Sequence, residues 1–267
     1  MNIGISIVIA VGDLVAVVMV LVIAGRYLRR RSSVARRVSA GVVCLALVVA
    51  AMGISVMYWP RPTAVYVLSS ADRATLLKTY GAVTSGRPML YDPLQAQDEN
   101  QWDTGTWHQG DSCSFHDGAY HIKSVEKSYY SWCIAEVPTF HNFAFQVRMT
   151  VVEGDGGGLV FRSEGKSGNY YYFHVGQDGS YGLAIFVAKG QETDVLTGTS
   201  ASIITGVRET NLLCVIVRGS DIALYVNRQP VAKFTDTSYQ SGQVGVVADE
   251  DNDTTDVAYS NAQVWVL

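Results

Sequence analysis

The chain has 267 residues, 48% of them hydrophobic, and a formal charge of −4. That charge is unevenly spread, because the residues beyond Trp59 hold 14 Lys and Arg against 23 Asp and Glu, a net of −9. A surface of that sign disfavours nucleic acid and bare anionic lipid as ligands and leaves neutral glycans, proteins and cations.

Two apolar stretches open the chain, at 3–24 and 39–59. At about 1.5 Å of helical rise per residue, each is long enough to cross a hydrocarbon layer of about 30 Å. The connector at 25–37 carries Arg26, Arg29, Arg30, Arg31, Arg36 and Arg37 and no acid. Short arginine-rich loops stay on the cytoplasmic side, so residues 1–59 read as a transmembrane helical hairpin of a multi-pass cell-membrane protein with both termini extracytoplasmic. Tyr58 and Trp59 suit an interfacial anchor, and the basic loop suits contact with anionic inner-leaflet lipid. A secretory signal competes in two forms. The first span has no positive charge before it; the second, taken with the arginine block and a cleavage near Ser55, is long for a signal. Asp13, inside the first span, implies helix contact, with oligomers one outcome, or a protonated acid.

Residues 60–89 read as a stalk that begins Pro60-Arg61-Pro62. Weak helical spacing over 71–83, entered through Ser69 and Asp72, predicts a short helix that is marginal alone in water. From Leu90 onward apolar and polar residues alternate in short runs at 112–115, 119–123, 132–137, 143–152, 158–163, 170–176, 181–188, 212–218, 222–226, 231–235, 243–248 and 257–267. Turn residues such as Asp117-Gly118, Asp178-Gly179 and Asn227 separate them and supply the positive φ of tight hairpins. Strands in that number, without a helical pattern between them, predict an all-β two-sheet antiparallel sandwich, or jelly roll, over 90–267. Cys113 and Cys133 flank a hairpin-like stretch, should meet on neighbouring strands, and are expected to pair in an oxidising compartment. Cys214 reads as a buried free thiol in an apolar strand, and Cys44 lies within the second span.

Particular residues carry a family resemblance. Tyr91-Asp92-Pro93-Leu94, Trp102-Asp103, the run from Cys113 to Tyr120, Gly157 to Arg162, Tyr170 to Phe173, Asp178 to Tyr181, Leu224 to Asn227, Gly242 to Gly245 and Tyr259 to Trp265 resemble concanavalin A-like lectin/glucanase sandwiches. The likeness is greatest to the laminin G-like and 3-keto-disaccharide-hydrolase-like domains of bacterial surface proteins. It implies a sandwich that serves lectins, hydrolases and adhesion modules alike. From laminin G-like relatives it also implies one structural calcium at a sandwich edge.

Sugar cleavage with retention needs two carboxylates about 5 Å apart. The runs at 143–152, 158–163 and 170–176 carry no acid. The expectation is therefore a non-catalytic cell-surface domain that binds carbohydrate or a surface protein. A membrane-tethered glycan hydrolase or lyase is the first alternative and a structural, self-assembling protein the second. If Phe145, Val147, Met149, Leu159, Phe161, Tyr171, Phe173 and Val175 fill the space between sheets, the opposite face receives Gln146, Arg148, Arg162, Tyr170, Tyr172 and His174. Rings stack on sugars while Arg and Gln fix orientation, so these six are the candidate ligand residues, with an ordinary outer sheet face as the competing reading. Asp249, Asp251 and Asp253 echo the start of a calcium loop, but Thr254 stands where glycine is wanted and a solvated turn competes. His108, His116, His121, His141 and His174 lack zinc spacing, and Gly154 to Gly158 joins two strands, so no catalytic metal or nucleotide is expected.

Overall fold

A computed structural model describes residues 68–107, 110–125, 129–165, 168–187, 191–250 and 254–267. The chain divides into two units, Met1–Pro62 and Thr63–Leu267, and the described residues all belong to the second. The two spans at 3–24 and 39–59, their arginine connector, Asp13 and Cys44 lie outside them. Among the described residues no helix is long and apolar enough to cross a membrane.

Ser69 starts the first element. Its hydroxyl oxygen accepts the Asp72 N–H at 3.1 Å and its O–H donates to Asp72 Oδ2 at 2.7 Å, satisfying an end of helix α1 (Ser70–Thr84). This segment, expected as part of a stalk, lies on the sandwich. Tyr80 and Val83, with Leu76, close over Ala144, Cys214, Ile216, Ala223, Tyr225 and Trp265. Polar contacts hold the docked helix: Tyr80 donates to Gln146 Oε1 at 2.5 Å, Tyr225 to the Leu76 carbonyl at 3.1 Å, and Trp265 Nε1 to the Gly86 carbonyl at 2.8 Å. Lys233 and Asp72 pair at 2.6 Å. Tertiary packing thus supplies the stability that so short a helix lacks by itself.

Among the described residues fifteen strands follow: β1 (Leu90–Asp92), β2 (Gly105–Trp107), β3 (Asp111–His116), β4 (Ala119–Ser124), β5 (Tyr129–Ile134), β6 (Phe143–Glu153), β7 (Gly156–Ser163) and β8 (Tyr170–Gly176). The remainder are β9 (Ser180–Val187), β10 (Gln191–Thr199), β11 (Thr210–Arg218), β12 (Asp221–Val226), β13 (Gln229–Thr235), β14 (Gln243–Glu250) and β15 (Thr255–Val266). Asp117-Gly118 and Asn227-Arg228 have positive φ at both central turn positions (51° and 77°, 52° and 67°), the geometry that matches the twist of a two-residue hairpin. Short β1 and β2, and the polar edge strand β10, were not among the predicted runs.

The strands form two antiparallel sheets. One has the order β13-β12-β11-β6-β15-β4-β3-β2, with β1 paired to β15; the other is β10-β9-β8-β7-β14-β5. All eight side chains expected between the sheets, Phe145, Val147, Met149, Leu159, Phe161, Tyr171, Phe173 and Val175, lie in one buried cluster. Cys113 and Cys133 are bonded, with their Cα atoms 6.6 Å apart. They sit on β3 and β5, so the bridge ties one sheet to the other rather than two neighbouring strands. Cys214 is free and buried, under α1 and not between the sheets.

Candidate ligand-binding face

The outward positions of the six-stranded sheet are unusually rich in rings. On β5, Cys133 points inward, so period two sends Tyr130, Trp132 and Ile134 out. On β8, Tyr171, Phe173 and Val175 fill the core, so Tyr170, Tyr172 and His174 face out. Phe186 of β9, Val160 of β7 and Val247 of β14 complete a cluster separate from the main core. Gly245 keeps the floor low between β5 and β7; a Cβ there would lie 2.5 Å from the Cys133 carbonyl and 2.6 Å from Ile134 Cδ1.

Across that floor the rings lean over one another. Tyr130 stacks on Tyr172 at 5.2 Å and Tyr170 on Phe186 at 4.8 Å, while Trp132 tilts onto Tyr170 at 5.6 Å. The Tyr130 and Tyr170 hydroxyls meet at 2.8 Å. Tyr170 and Tyr172 are buried by this arrangement, whereas Tyr130, Trp132 and Phe186 stay half-buried. An aromatic surface with Tyr130, Trp132 and Phe186 partly open to solvent suits an apolar ligand face.

Acids border the rings. Tyr172 donates to Asp249 Oδ2 at 2.9 Å, and His174 Nδ1 approaches the same oxygen at 3.4 Å. Burial, reinforced by the Asp249 carboxylate, holds the Tyr172 hydroxyl well above its usual pKa, so it acts here as a donor. Glu192 and Asp194, two apart on β10, pair in register with Phe186 and Ala184 of β9. Partial desolvation, then Asp194 and Asp249, raise the Glu192 carboxyl above the usual range, with His174 opposing.

The six candidate residues are therefore divided. Tyr170, Tyr172 and His174 share this face. Gln146 and Arg148 belong to β6 in the other sheet; Gln146 is buried beneath α1 and donates to Gln263 Oε1 at 3.0 Å, and Arg148 is exposed further along the strand. Arg162 is fully buried. Its register with β14 is interrupted at Gln243 and Val244, and with φ of 50° it leaves the simple alternation. The guanidinium donates to the carbonyls of Tyr239, His141 and Gly219 at 2.8, 2.9 and 2.7 Å, clamping three loops. Of the suggested calcium residues, Asp249 joins the aromatic face, while Asp251 and Asp253 lie outside the described residues. Among the described residues no three His, Cys, Asp or Glu side chains converge as a metal site.

Trp132, Tyr130, Phe186, Glu192 and Asp194 were not singled out from the sequence. The first two were within reach, since an inward Cys133 already sets its neighbours outward. Glu192 and Asp194 lie on a polar edge strand that carries little apolar alternation to find.

No protein-family model matches the sequence, and no curated protein matches it. Solved structures do share its fold. The carbohydrate-binding module CBM66 from Bacillus subtilis superposes with a TM-score of 0.51 at 17% identity, over 61% of this chain and 94% of that one. A Bacillus subtilis protein of unknown function with a galectin-like fold gives 0.50 at 13% identity, over 67% and 96%. A Bacteroides ovatus mixed-linkage-glucan GH16 in complex with a G4G4G3G product gives 0.50 at 8%, over 66% and 99%. The architecture is a galectin- or concanavalin-like β-sandwich.

Proposed function

We propose that the sandwich binds neutral carbohydrate at the outer face of its six-stranded sheet, as the ectodomain of a membrane-anchored surface protein. The observation that carries this reading is the tiled aromatic cluster, with Trp132, Tyr130 and Phe186 half-open beside Tyr172 and Asp249. Ring faces take the C–H faces of a sugar, and the bordering carboxylates accept from its hydroxyls. Because Asp249, Glu192 and Asp194 border the rings, with His174 the one basic side chain beside them among the described residues, anionic sugars are repelled. Sandwiches of similar fold include a carbohydrate-binding module and a glucan-product complex, which agrees with such a ligand class. The two apolar spans would hold the domain at the cell surface. A calcium held through Asp249, Asp251 and Asp253 would be structural.

The test is retention of the full-length chain, in detergent micelles, on an array of neutral and acidic glycans. Wild type is expected to select neutral glycans, and Trp132→Ala to lose that retention without loss of fold. Equal retention of wild type and variant on every glycan would remove the proposal. Hydrolysis stays as a second reading because Glu192, with its raised pKa, and Asp194 share one strand face. Release of reducing sugar that Glu192→Gln abolishes would favour it over binding alone.

A further inference from the structure

We infer a second saccharide-binding cleft, at the edge where β1 joins β15, that owes nothing to the aromatic face. A cavity of about 780 Å³ lies there, bordered by Arg87, Met89, Tyr91, Glu99, Glu136 and Gln263 among others. Small-molecule sites commonly enclose roughly 300–1,000 Å³.

Its apolar side is a prepared platform. β1 alternates buried, exposed, buried, which sends Tyr91 outward between Leu90 and Asp92. The Tyr91 ring is 55% exposed, yet its hydroxyl donates to Asn261 Oδ1 at 3.1 Å, so an exposed ring is held in one orientation. Met89, two residues earlier and 54% exposed, extends the same strip. Stacking on a ring already fixed by a hydrogen bond saves the rotamer entropy that a mobile side chain loses on binding.

The polar side is built as firmly. Asp92 is 1% exposed and accepts from Trp102 Nε1 at 2.8 Å, from the Leu94 N–H at 2.7 Å and from Asn100 Nδ2 at 3.0 Å. A buried carboxylate with three donors thus anchors the loop that presents Asn100 and Glu99 to the cleft. Opposite, Gln263 is steadied through its Oε1 by Gln146, which Tyr80 of α1 holds in turn. Glu99 and Glu136 offer acceptors for neighbouring hydroxyls and repel anions, while Arg87 and the Gln263 side-chain amide offer donors. This set matches a neutral, hydroxyl-rich sugar stacked on Tyr91.

Saturation-transfer NMR of the full chain in detergent micelles tests the cleft with glucose, galactose, mannose, fructose and N-acetylglucosamine. At roughly 10 mM each, a site with a Kd near 1 mM is mostly filled. In a Trp132→Ala background, which removes the aromatic face, Tyr91→Ala is expected to weaken binding of at least one of these sugars about tenfold and Tyr91→Phe to retain most of it. Unaltered melting of Tyr91→Ala separates lost stacking from lost fold. Binding that depends on Trp132 but not on Tyr91 would overturn this cleft and leave the aromatic face standing. Absence of any Tyr91-dependent signal across the five sugars would overturn it as well, whereas Tyr91-dependent binding alone would support it even if the aromatic face binds nothing.

Discussion

The two outer faces of the sandwich meet the same physical problem in opposite ways. On the larger sheet, Ala144, Cys214, Ile216, Ala223, Tyr225 and Trp265 make an apolar patch, and α1 covers it with Leu76, Tyr80 and Val83. On the smaller sheet, Val160, Val247 and Ile134 are covered by the sheet's own rings, with Tyr130, Trp132 and Phe186 left half-open. A helix seals its patch and closes that stretch of the face to a ligand. Self-stacked rings bury aliphatic floor while keeping part of their π faces accessible, and so make the better binding surface.

If the helix is a seal, breaking it should cost most. Tyr80→Ala removes a ring and the hydrogen bond to Gln146, and should destabilise the domain by roughly 3–5 kcal/mol in urea titrations followed by tryptophan fluorescence. A loss under about 1 kcal/mol would mean that α1 is an ornament on the sheet. The bridge between Cys113 and Cys133 tests whether the two faces are held as one body: with the cysteines 20 positions apart, Cys133→Ser should lower stability by about 3 kcal/mol. Unchanged denaturation midpoints under reducing conditions would deny it that role. On the open face the balance should reverse. Trp132→Ala is expected to reduce stability by only about 1 kcal/mol while weakening glycan retention about tenfold. Similar losses in both would make this face another seal.

The smallest effect concerns pH. Because Glu192 is raised above its ordinary value of 4.5, chiefly by desolvation and then by Asp194 and Asp249, the folded chain keeps a proton there that the unfolded chain has released. Stability should therefore fall as pH rises through the window just above 4.5. Glu192→Gln should flatten that limb of a stability–pH curve, and an unchanged slope would show that this face does not raise the Glu192 carboxyl.

Much of the fold was legible before any coordinates. In the runs from 143 to 175 all eight inward assignments fall in the core. The pairing of Cys113 with Cys133 was also legible, although its place between sheets was not. The candidate site was readable only in part. Tyr170, Tyr172 and His174 fall on one outer face as expected because β8 is regular, whereas Arg162 is buried because a register shift beside it breaks the count. Gln146 and Arg148 misled for another reason: β6 and β8 look alike in sequence but join different sheets.

By itself, then, the amino-acid order determined which side chains turn inward, where the hairpins bend and that two apolar stretches precede an acidic all-β region. Side-chain alternation is a local property of extended backbone, so it can be counted along the chain. What only the tertiary structure decided is which sheet each strand enters and what lies over each outer face. Those outcomes depend on partners remote in sequence, such as β15 beside β6 or Tyr80 against Gln146, and no local period carries information about a neighbour that distant.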